Sequence, residues 1–307
     1  MKVVVTGGAG FIGSHLVDSL LARNYEVVVI DNLSTGVRKN VPGRAKFHKL
    51  DIRSNKIRPL LKKISPDYVC HLAAQVSVTA SQADAAQDAD INILGALNLA
   101  EAVKTLPIKK FLFASSGGAI YGEASLIPTP ESEPAEPLSA YGLAKYTVER
   151  YLDYYEKTFG LPVGVARLSN IYGPRQLTSA ESGVVSIFSQ KILRDEELPL
   201  HGGGEQTRDY LYVADTVGGI VSLMENGRGV YNFGTGIEIS VKELAKVMGQ
   251  IVGRPPRVAY APPRSQVELG RSALKCDQAR KDLNWRPQTK LEQGLHLTLD
   301  WFKKEVL

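Results

Sequence analysis

The stretch SAYGLAK places a phenol and an ammonium group, those of Tyr141 and Lys145, four residues apart near the start of a predicted helix. Side chains at that spacing lie on one face of a helix. A free tyrosine has a pKa near 10 and is a poor base at neutral pH, but a neighbouring ammonium or a bound oxidised nicotinamide favours the phenolate. The pair predicts a tyrosine that takes a proton from an alcohol while hydride leaves for a cofactor. A surface role is the alternative for such a common pattern.

A second group of hydroxyls lies upstream, where the apolar run of FASSGGAIYG ends in Ser115 and Ser116. The ends of strands in α/β enzymes collect cofactor and substrate contacts. No carboxylate follows these serines until Glu123. Elimination of water or handling of a carboxylate would need an acid–base pair at this place. The stretch therefore favours a reaction that one base can serve.

Three glycines, Gly7, Gly10 and Gly13, join the first predicted strand to the first predicted helix in the pattern GxxGxxG. In this setting they permit a tight turn, close approach of the backbone to a pyrophosphate, and close packing of the helix on the strand. Asp31 ends the next strand, where a carboxylate binds the ribose diol of adenosine and repels a 2′-phosphate. We therefore predict NAD as the cofactor. Simple turn roles for these residues are the alternative.

The elements that must position these residues alternate between short apolar runs and helical patterns, which predicts an α/β fold with a doubly wound parallel sheet, of the Rossmann type. We expect a first domain over 1–168 and a smaller C-terminal α/β lobe over 169–307. The lobe would be discontinuous, because a strand near 229–234 returns to the main sheet. Strands are predicted at 2–6, 26–30, 45–50, 67–73, 109–115 and 161–168, and helices at 10–23, 54–64, 84–104 and 139–159.

Composition excludes several classes of protein. The 307 residues are 44% hydrophobic and 22% charged with a net charge of +5, which is ordinary for a globular protein, and no nucleic-acid-binding motif occurs. No apolar run reaches the roughly 18 residues of a membrane span. The five histidines lack metal spacing, so no metal is expected. Two cysteines, Cys70 and Cys276, imply no disulfide framework, and we expect a cytoplasmic protein.

These motifs together resemble the extended short-chain dehydrogenase/reductase family and, within it, the UDP-glucose 4-epimerases. The resemblance covers nearly the whole chain and is carried by TGGAGFIGSHLVDSL, DNLSTG, LDI, HLAAQ, SAYGLAK, RLSNIYGPRQ and RDYLYVAD. It implies NAD, a UDP-sugar substrate held by the C-terminal lobe, and a homodimer that pairs the helices near 84–104 and 139–159. It implies no nucleic-acid or membrane partner.

The resemblance also implies roles for individual residues. The catalytic group is Tyr141, Lys145 and Ser116. The cofactor-binding group is Gly7, Gly10, Phe11, Ile12, Gly13, Asp31, Asn32, Ser34, Thr35, Gly36, Asp51, Ile52, Leu72, Ala73, Ala74, Gln75, Asn92, Ser115, Tyr141 and Lys145. The substrate-binding group is Ser116, Gly117, Tyr141, Asn170, Arg208, Arg264 and Glu268.

Three features depart from the family pattern. The usual strand-end hydroxyl lies four residues before the YG tyrosine, which is the position of Gly117, so Ser116 stands one position away, and Ser115 or a water is the alternative. The family has Gly-Asp shortly after the phosphate-binding arginine, whereas this chain reads RSQVELG, so Glu268 would replace the Asp and Arg271 is a second choice for the contact. Ser272 stands where some epimerases carry a bulky residue over the C2 substituent, so an N-acetyl group would fit; an exposed turn is the alternative.

The expected reaction is C4 epimerisation of UDP-glucose and UDP-galactose, in which one base serves both directions and the 4-keto sugar turns over in an acid-free pocket. Three alternatives inside the enzyme class are a nucleotide-sugar dehydratase, decarboxylase or reductase. A catalytically dead NAD-binding regulator is the alternative outside it, and the intact pair of Tyr141 and Lys145 argues against that reading.

Overall fold

The main sheet of the molecule has seven parallel strands. The computed structural model describes residues 1–176, 183–262 and 269–305, and in these the strands follow the spatial order β11-β6-β5-β4-β1-β2-β3. Their bounds are Lys2–Thr6 (β1), Glu26–Asp31 (β2), Lys46–Lys49 (β3), Tyr68–His71 (β4), Lys110–Ser116 (β5), Val163–Leu168 (β6) and Gly229–Phe233 (β11). The carboxyl ends of β1, β2, β4 and β5 therefore lie along one edge, where the order reverses between β1 and β4.

Helices cover both faces of this sheet, and the alternation of side chains along each strand decides which face they cover. Val3 and Val5 belong to the core beneath α1 (Phe11–Ala22) and α9 (Val213–Asn226). Val4 belongs to the opposite core, beneath α2 (Ile57–Ile64), α5 (Gly95–Val103) and α7 (Ala140–Phe159). Consecutive valines are buried because each face has its own layer of helices. The predicted doubly wound Rossmann fold is confirmed.

The strand predicted near 229–234 pairs with β6 at the edge of the main sheet, where Val230 lies opposite Val165. A separate apolar core is formed by α8 (Val184–Leu193), α10 (Val241–Val252), α12 (Leu291–Glu305) and β8 (Leu198–His201), with Phe188, Leu244 and Leu299 buried in it. Strand β8 pairs with β13 (Val258–Ala261). The division of the chain at residue 168 stays a prediction.

The predicted helix over 84–104 is interrupted. Its first part is α4 (Ala85–Ala89), its middle is a π-helix (Asp90–Leu94), and its last part is α5. A π-helical turn adds one residue and rotates the side chains that follow. The remaining elements are α3 (Val78–Ala83), α6 (Gly117–Ile120), α11 (Asp277–Leu283), β7 (Asn170–Tyr172), β9 (Thr207–Arg208), β10 (Tyr210–Tyr212), β12 (Ile239–Ser240), and 3₁₀ turns at Arg38–Asn40 and Gly202–Gly204.

Candidate active site

The glycine turn after β1 forms a cradle in which side chains have no room. Gly7 has φ +71°, and a Cβ there would lie 2.6 Å from the backbone nitrogen of Ala73. A Cβ on Gly13 would lie 2.1 Å from the carbonyl oxygen of Gly7. Helix α1 begins after Gly10 without a side-chain cap, so its first N–H groups remain available to an anion. The turn fits a dinucleotide pyrophosphate beside Phe11 and Ile12.

The carboxylates predicted to meet the adenosine are Asp31, the last residue of β2, and Asp51, which lies shortly after β3. Asp31 accepts hydrogen bonds from the backbone N–H groups of Ala9, at 3.0 Å, and Leu33, at 2.8 Å, so it is held beside the glycine turn. Asn32 donates to Asp51 at 3.0 Å. The Arg53 side chain holds the pKa of Asp51 well below its usual range. The neighbouring predicted residues Ser34, Thr35 and Gly36 follow Asp31, and Ile52 follows Asp51. The acidic end of the cleft therefore fits a ribose diol.

The loop after β4, residues 72–75, borders the glycine turn through Ala73. Gln75 is fixed by Asn92, because the Gln75 N–H donates to Asn92 Oδ1 and Asn92 Nδ2 donates to the Gln75 carbonyl, both at 2.9 Å. Asn92 is buried in the π-helical segment. The predicted group Leu72, Ala73, Ala74, Gln75 and Asn92 is thus brought together.

Helix α7 carries Tyr141 and Lys145 into the same pocket. Ser139 caps the helix by accepting from the N–H of Gly142 at 3.1 Å. Lys145 Nζ lies 5.7 Å from the centroid of the Tyr141 ring and donates to the carbonyl of Ala114 at 3.0 Å. The phenol ring and the ammonium are therefore neighbours, with Lys145 buried and Tyr141 half-buried.

The electrostatics of this pair differ from the simple expectation of a Tyr141 acidified by its neighbour. Burial raises the pKa of Tyr141 to about 12, with the charge of Asp88 raising it further and a hydrogen bond from Ser116 opposing the rise. Burial lowers the pKa of Lys145 to about 8, against the opposing charges of Asp88 and Glu149. In the protein alone, burial outweighs the effect of the Ser116 hydrogen bond on the pKa of Tyr141.

The two strand-end serines have different partners. The Ser116 hydroxyl is within hydrogen-bonding reach of the Tyr141 phenol, and this contact lowers the pKa of the phenol. The Ser115 hydroxyl is buried and donates to Glu149 Oε1 at 2.6 Å. Glu149 also forms a buried ion pair with Arg167 at 2.6 Å. Ser116 is thus the strand-end hydroxyl that meets the tyrosine, and the hydroxyl of Ser115 serves a structural network.

The family's usual hydroxyl position, Gly117, is closed by the C-terminal part of the chain. A Cβ on Gly117 would lie 2.6 Å from Cδ1 of Leu274, which is 1% exposed. Within the described part of the chain, the one atom that a Cβ on Gly118 would approach is Asn170 Oδ1, at 3.6 Å. The wall that follows Ser116 is therefore made of glycine backbone and an amide.

The predicted substrate residues Asn170 and Arg208 lie on short paired strands. Asn170 is opposite Tyr210 in the parallel pair of β7 and β10, and Arg208 lies two residues before Tyr210. Among the described residues, Asn170 Oδ1 and the Tyr210 hydroxyl are buried without a hydrogen-bond partner. The predicted contacts Arg264 and Glu268 lie outside the described residues. The second choice, Arg271, pairs with Glu238 at 2.5 Å.

Sequence reasoning missed Asp88 at this site and Tyr210, whose buried hydroxyl belongs to the strand paired with that of Asn170. Tyr210 is part of RDYLYVAD, and the period-two alternation from Arg208 was the available signal. Asp88 is buried beside the Tyr141–Lys145 pair, and its place four residues before Asn92 was the signal. The described residues contain no cluster of three His, Cys, Asp or Glu side chains that could hold a metal ion. In the same ranges no helix is long and apolar enough to cross a membrane.

Comparison with known proteins agrees with this geometry. Residues 3–234 match the model of the NAD dependent epimerase/dehydratase family. The UDP-glucose 4-epimerase of Mycolicibacterium smegmatis is 38% identical over 312 residues, covering 99% of each chain. The UDP-glucose 4-epimerase of Thermotoga maritima, solved with UDP-glucose, is 44% identical with a TM-score of 0.98 and full coverage of both chains.

A further solved relative is the UDP-N-acetylglucosamine 4-epimerase of Methanobrevibacter ruminantium, in complex with UDP-N-acetylmuramic acid. It is 33% identical, with a TM-score of 0.94 and 99% coverage of both chains. The glycine turn, Asp31 and the adjacent Tyr141–Lys145 pair agree with NAD as the cofactor. The chain belongs to the NAD dependent epimerase/dehydratase family, which is part of the extended short-chain dehydrogenases/reductases.

Proposed function

We propose that this enzyme interconverts UDP-glucose and UDP-galactose by oxidation at C4, rotation of the 4-keto sugar and reduction on the opposite face. One observation carries the proposal: Tyr141, Ser116 and Lys145 meet beside a wall of glycine and amide that holds no acid. A base, a hydroxyl and a cation suffice for removal and return of a proton at an alcohol.

In this mechanism Tyr141 takes the proton from the C4 hydroxyl of the sugar and later returns it. Ser116 donates a hydrogen bond to the phenol, which favours its ionised form. Lys145 supplies the positive charge beside the ring. NAD, which the glycine turn and Asp31 would hold, would supply the hydride-transfer chemistry at C4. Burial of Lys145 and partial burial of Tyr141 limit the access of water to the reacting groups.

The space beside the glycines suits turnover of the keto sugar. Gly118 leaves room up to Asn170, and Gly117 is packed against Leu274. Relatives that dehydrate or decarboxylate need an acid–base pair near the sugar, and the stretch from Ser115 to Gly122 provides none. This absence favours epimerisation over the alternatives of dehydratase, decarboxylase and reductase.

The UDP part of the substrate is assigned to the second lobe. The orphaned oxygens of Asn170 and Tyr210 are polar groups that a ligand would satisfy. Arg208 and Arg264 are proposed to bind the diphosphate, since a guanidinium suits that anion. Glu268 is proposed to bind the ribose.

The enzyme is also proposed to accept UDP-N-acetylhexosamines. Ser272 is two residues before Leu274, whose side chain packs on the glycine wall beside Ser116. A serine leaves more space over C2 than a bulky residue does. If UDP-N-acetylglucosamine is not converted under conditions in which UDP-galactose is consumed, this part of the proposal is wrong.

The functional form is proposed to be a cytoplasmic homodimer. Helix α7 exposes Leu143, Tyr151 and Tyr154, and the π segment exposes Leu94, which together offer an apolar face for the same helices of a second copy. Light scattering of the purified protein measures the mass of this assembly. Substituting Leu143 and Tyr154 by glutamate is expected to give monomers, and an unchanged mass would exclude this face.

The deciding experiment combines a cofactor assay with a turnover assay. Nucleotide released from the purified protein is identified as NAD or another nucleotide, and the protein is incubated with UDP-galactose while UDP-glucose is measured. Tyr141→Phe is expected to abolish turnover and to retain NAD. Formation of a 4-keto-6-deoxy sugar or a pentose instead would support the dehydratase or decarboxylase reading. Equal loss of NAD and turnover in Tyr141→Phe would assign Tyr141 a folding role.

A further inference from the structure

The buried carboxylate of Asp88 has no role in the mechanism above. Asp88 is 1% exposed and lies in α4, two residues before the π-helical segment begins. Its Oδ1 accepts from Gln75 Nε2 at 2.8 Å and from Asn92 Nδ2 at 2.9 Å. Burial raises the pKa of Asp88, and the two N–H donors on one oxygen, together with the charge of Lys145, oppose that rise and favour the ionised form. Both donors are neutral amides, so these bonds do not compensate the charge.

The second oxygen of this carboxylate, Oδ2, differs from the first in its hydrogen bonding. Among the described residues, Asp88 Oδ2 is buried without a hydrogen-bond partner. An unpaired charged oxygen away from water is costly. Because such groups rarely persist without a function, the arrangement calls for a compensating positive charge nearby.

The charged groups around α7 identify Lys145 as the source of that positive charge. The other carboxylate acting on Lys145 is Glu149, which is already committed to Arg167 through a buried bidentate contact and to Ser115. From β4, the imidazole of His71 faces the same ammonium, and burial lowers its pKa to about 3, so it is neutral at working pH. In the described ranges, Asp88 and Lys145 are therefore the buried negative and positive charges at this place that form no ion pair with another residue.

We propose that Asp88 is a positioning residue of this site, whose buried carboxylate supplies the counter-charge that keeps Lys145 an ammonium ion beside Tyr141. The π-helical segment serves this arrangement, because α4 and that segment both pack against α7. Asn92 and Gln75 then hold the carboxylate in place as well as shaping the cofactor cleft. The inference rests on the proposed function for its kinetic test and on the charges alone for its spectroscopic test.

The direction of the effect follows from the two charges. Burial lowers the pKa of Lys145 to about 8, and the carboxylate of Asp88 raises it against that tendency. Without the carboxylate, the amine loses its proton at lower pH, and the positive charge beside the phenol is lost near neutrality. The same removal lowers the pKa of Tyr141, because the negative charge of Asp88 raises it.

The test compares Asp88→Asn with Asp84→Asn. Asp84 is one helical turn earlier, exposed, and caps α4 by accepting from Gln87; asparagine is an equally good cap. Each variant, as purified, is labelled with [ε-¹³C]lysine, and the Lys145 resonance is assigned by its absence from Lys145→Arg. Asp88→Asn is expected to lower the midpoint of this resonance by about one pH unit, with no change in Asp84→Asn.

The kinetic readout is the pH profile of kcat with UDP-galactose. In Asp88→Asn the alkaline limb is expected to move down by the same interval as the Lys145 midpoint, which a merely structural loss would not do. Asp88→Ser, which leaves room for water at Gln75 and Asn92, is expected to show the same shifts of the Lys145 midpoint and of the alkaline limb. If both variants keep the Lys145 midpoint of Asp84→Asn, the proposal is wrong, whatever the turnover. If the midpoint moves in a protein that converts no UDP-sugar, the proposed function fails and the role of Asp88 stands.

Discussion

Adjacent serines at the end of β5 provide a matched pair that separates chemistry from stability. The Ser116 hydroxyl reaches the Tyr141 phenol, whereas the Ser115 hydroxyl is buried against Glu149 at 2.6 Å. Each serine is replaced by alanine, which removes one hydroxyl and little volume. Ser116→Ala is therefore expected to lower mainly kcat, and Ser115→Ala is expected to lower mainly the free energy of unfolding.

For Ser116→Ala the loss falls on the chemical step. A hydrogen bond to a charged group contributes about 1.5–3 kcal/mol, and about 1.4 kcal/mol is a factor of ten in rate. We therefore expect kcat to fall about 10- to 150-fold. The free energy of unfolding should change little, because Ser116 is partly exposed and makes no capping bond to α6.

For Ser115→Ala the loss falls on the fold. Glu149 keeps its ion pair with Arg167 but loses a buried donor, which costs about 1–3 kcal/mol. Turnover should stay near that of the unmodified enzyme, because the Tyr141 contact is intact.

The assay for this pair is urea unfolding of the NAD-loaded proteins together with steady-state conversion of UDP-galactose. Bound NAD is quantified in each sample, so that cofactor loss is not read as a chemical effect. A Ser115→Ala enzyme with the larger loss of kcat, or a Ser116→Ala enzyme with the larger loss of stability, would refute the assignment of the two hydroxyls.

Two further predictions follow from the packing and the buried charges. Gly117→Ala is expected to lower the free energy of unfolding by about 1–3 kcal/mol through overpacking on Leu274. In the background of Leu274→Ala this cost should vanish. Urea unfolding of both single variants and the double variant measures the coupling between the two positions, and additive costs would contradict the contact. Burial lowers the pKa of His71 to about 3, so the unfolded state binds more protons between pH 6.5 and 3, and His71 makes stability fall on acidification. His71→Gln should reduce the slope of the free energy of unfolding against pH by up to about 1.4 kcal/mol per pH unit, measured at pH 4, 5, 6 and 7. An unchanged slope would show that other groups cause the loss of stability on acidification.

Much of the fold was accessible from sequence because doubly covered strands are apolar at consecutive positions. Runs such as Val3 to Val5 mark β1, and the glycines after it mark the turn into α1. The carboxyl-edge residues of parallel strands meet by topology alone, so Asp31, Ser116 and the loop after β4 were predictable neighbours. Periodicity did not reveal the π-helical interruption of 84–104, because one extra residue barely disturbs an apolar pattern.

The parts of the site that sequence reasoning missed depend on contacts between distant segments. Leu274 packs on Gly117 across 157 positions of sequence, and no local pattern encodes such a contact. Asp88 was missed for a related reason: its place four residues before Asn92 suggests a shared helix face, but a carboxylate in a helix is usually solvated, and only its tertiary neighbours show that it is buried. The raised pKa of Tyr141 has the same origin, since spacing predicts a neighbour but not the extent of desolvation.

The one-residue offset of the strand-end hydroxyl now has a physical account. Helix α6 begins at Gly117, so Ser116 is the last residue of β5 and the N-cap of that helix. Side chains alternate along a strand, which separates the hydroxyls of Ser115 and Ser116. A hydroxyl at position 117 would collide with Leu274, so the serine that serves Tyr141 must precede the glycines. The same Leu274 side chain packs on the glycine wall, so the position of the hydroxyl and the shape of the wall depend on one contact, and the double-mutant cycle between Gly117 and Leu274 tests that contact.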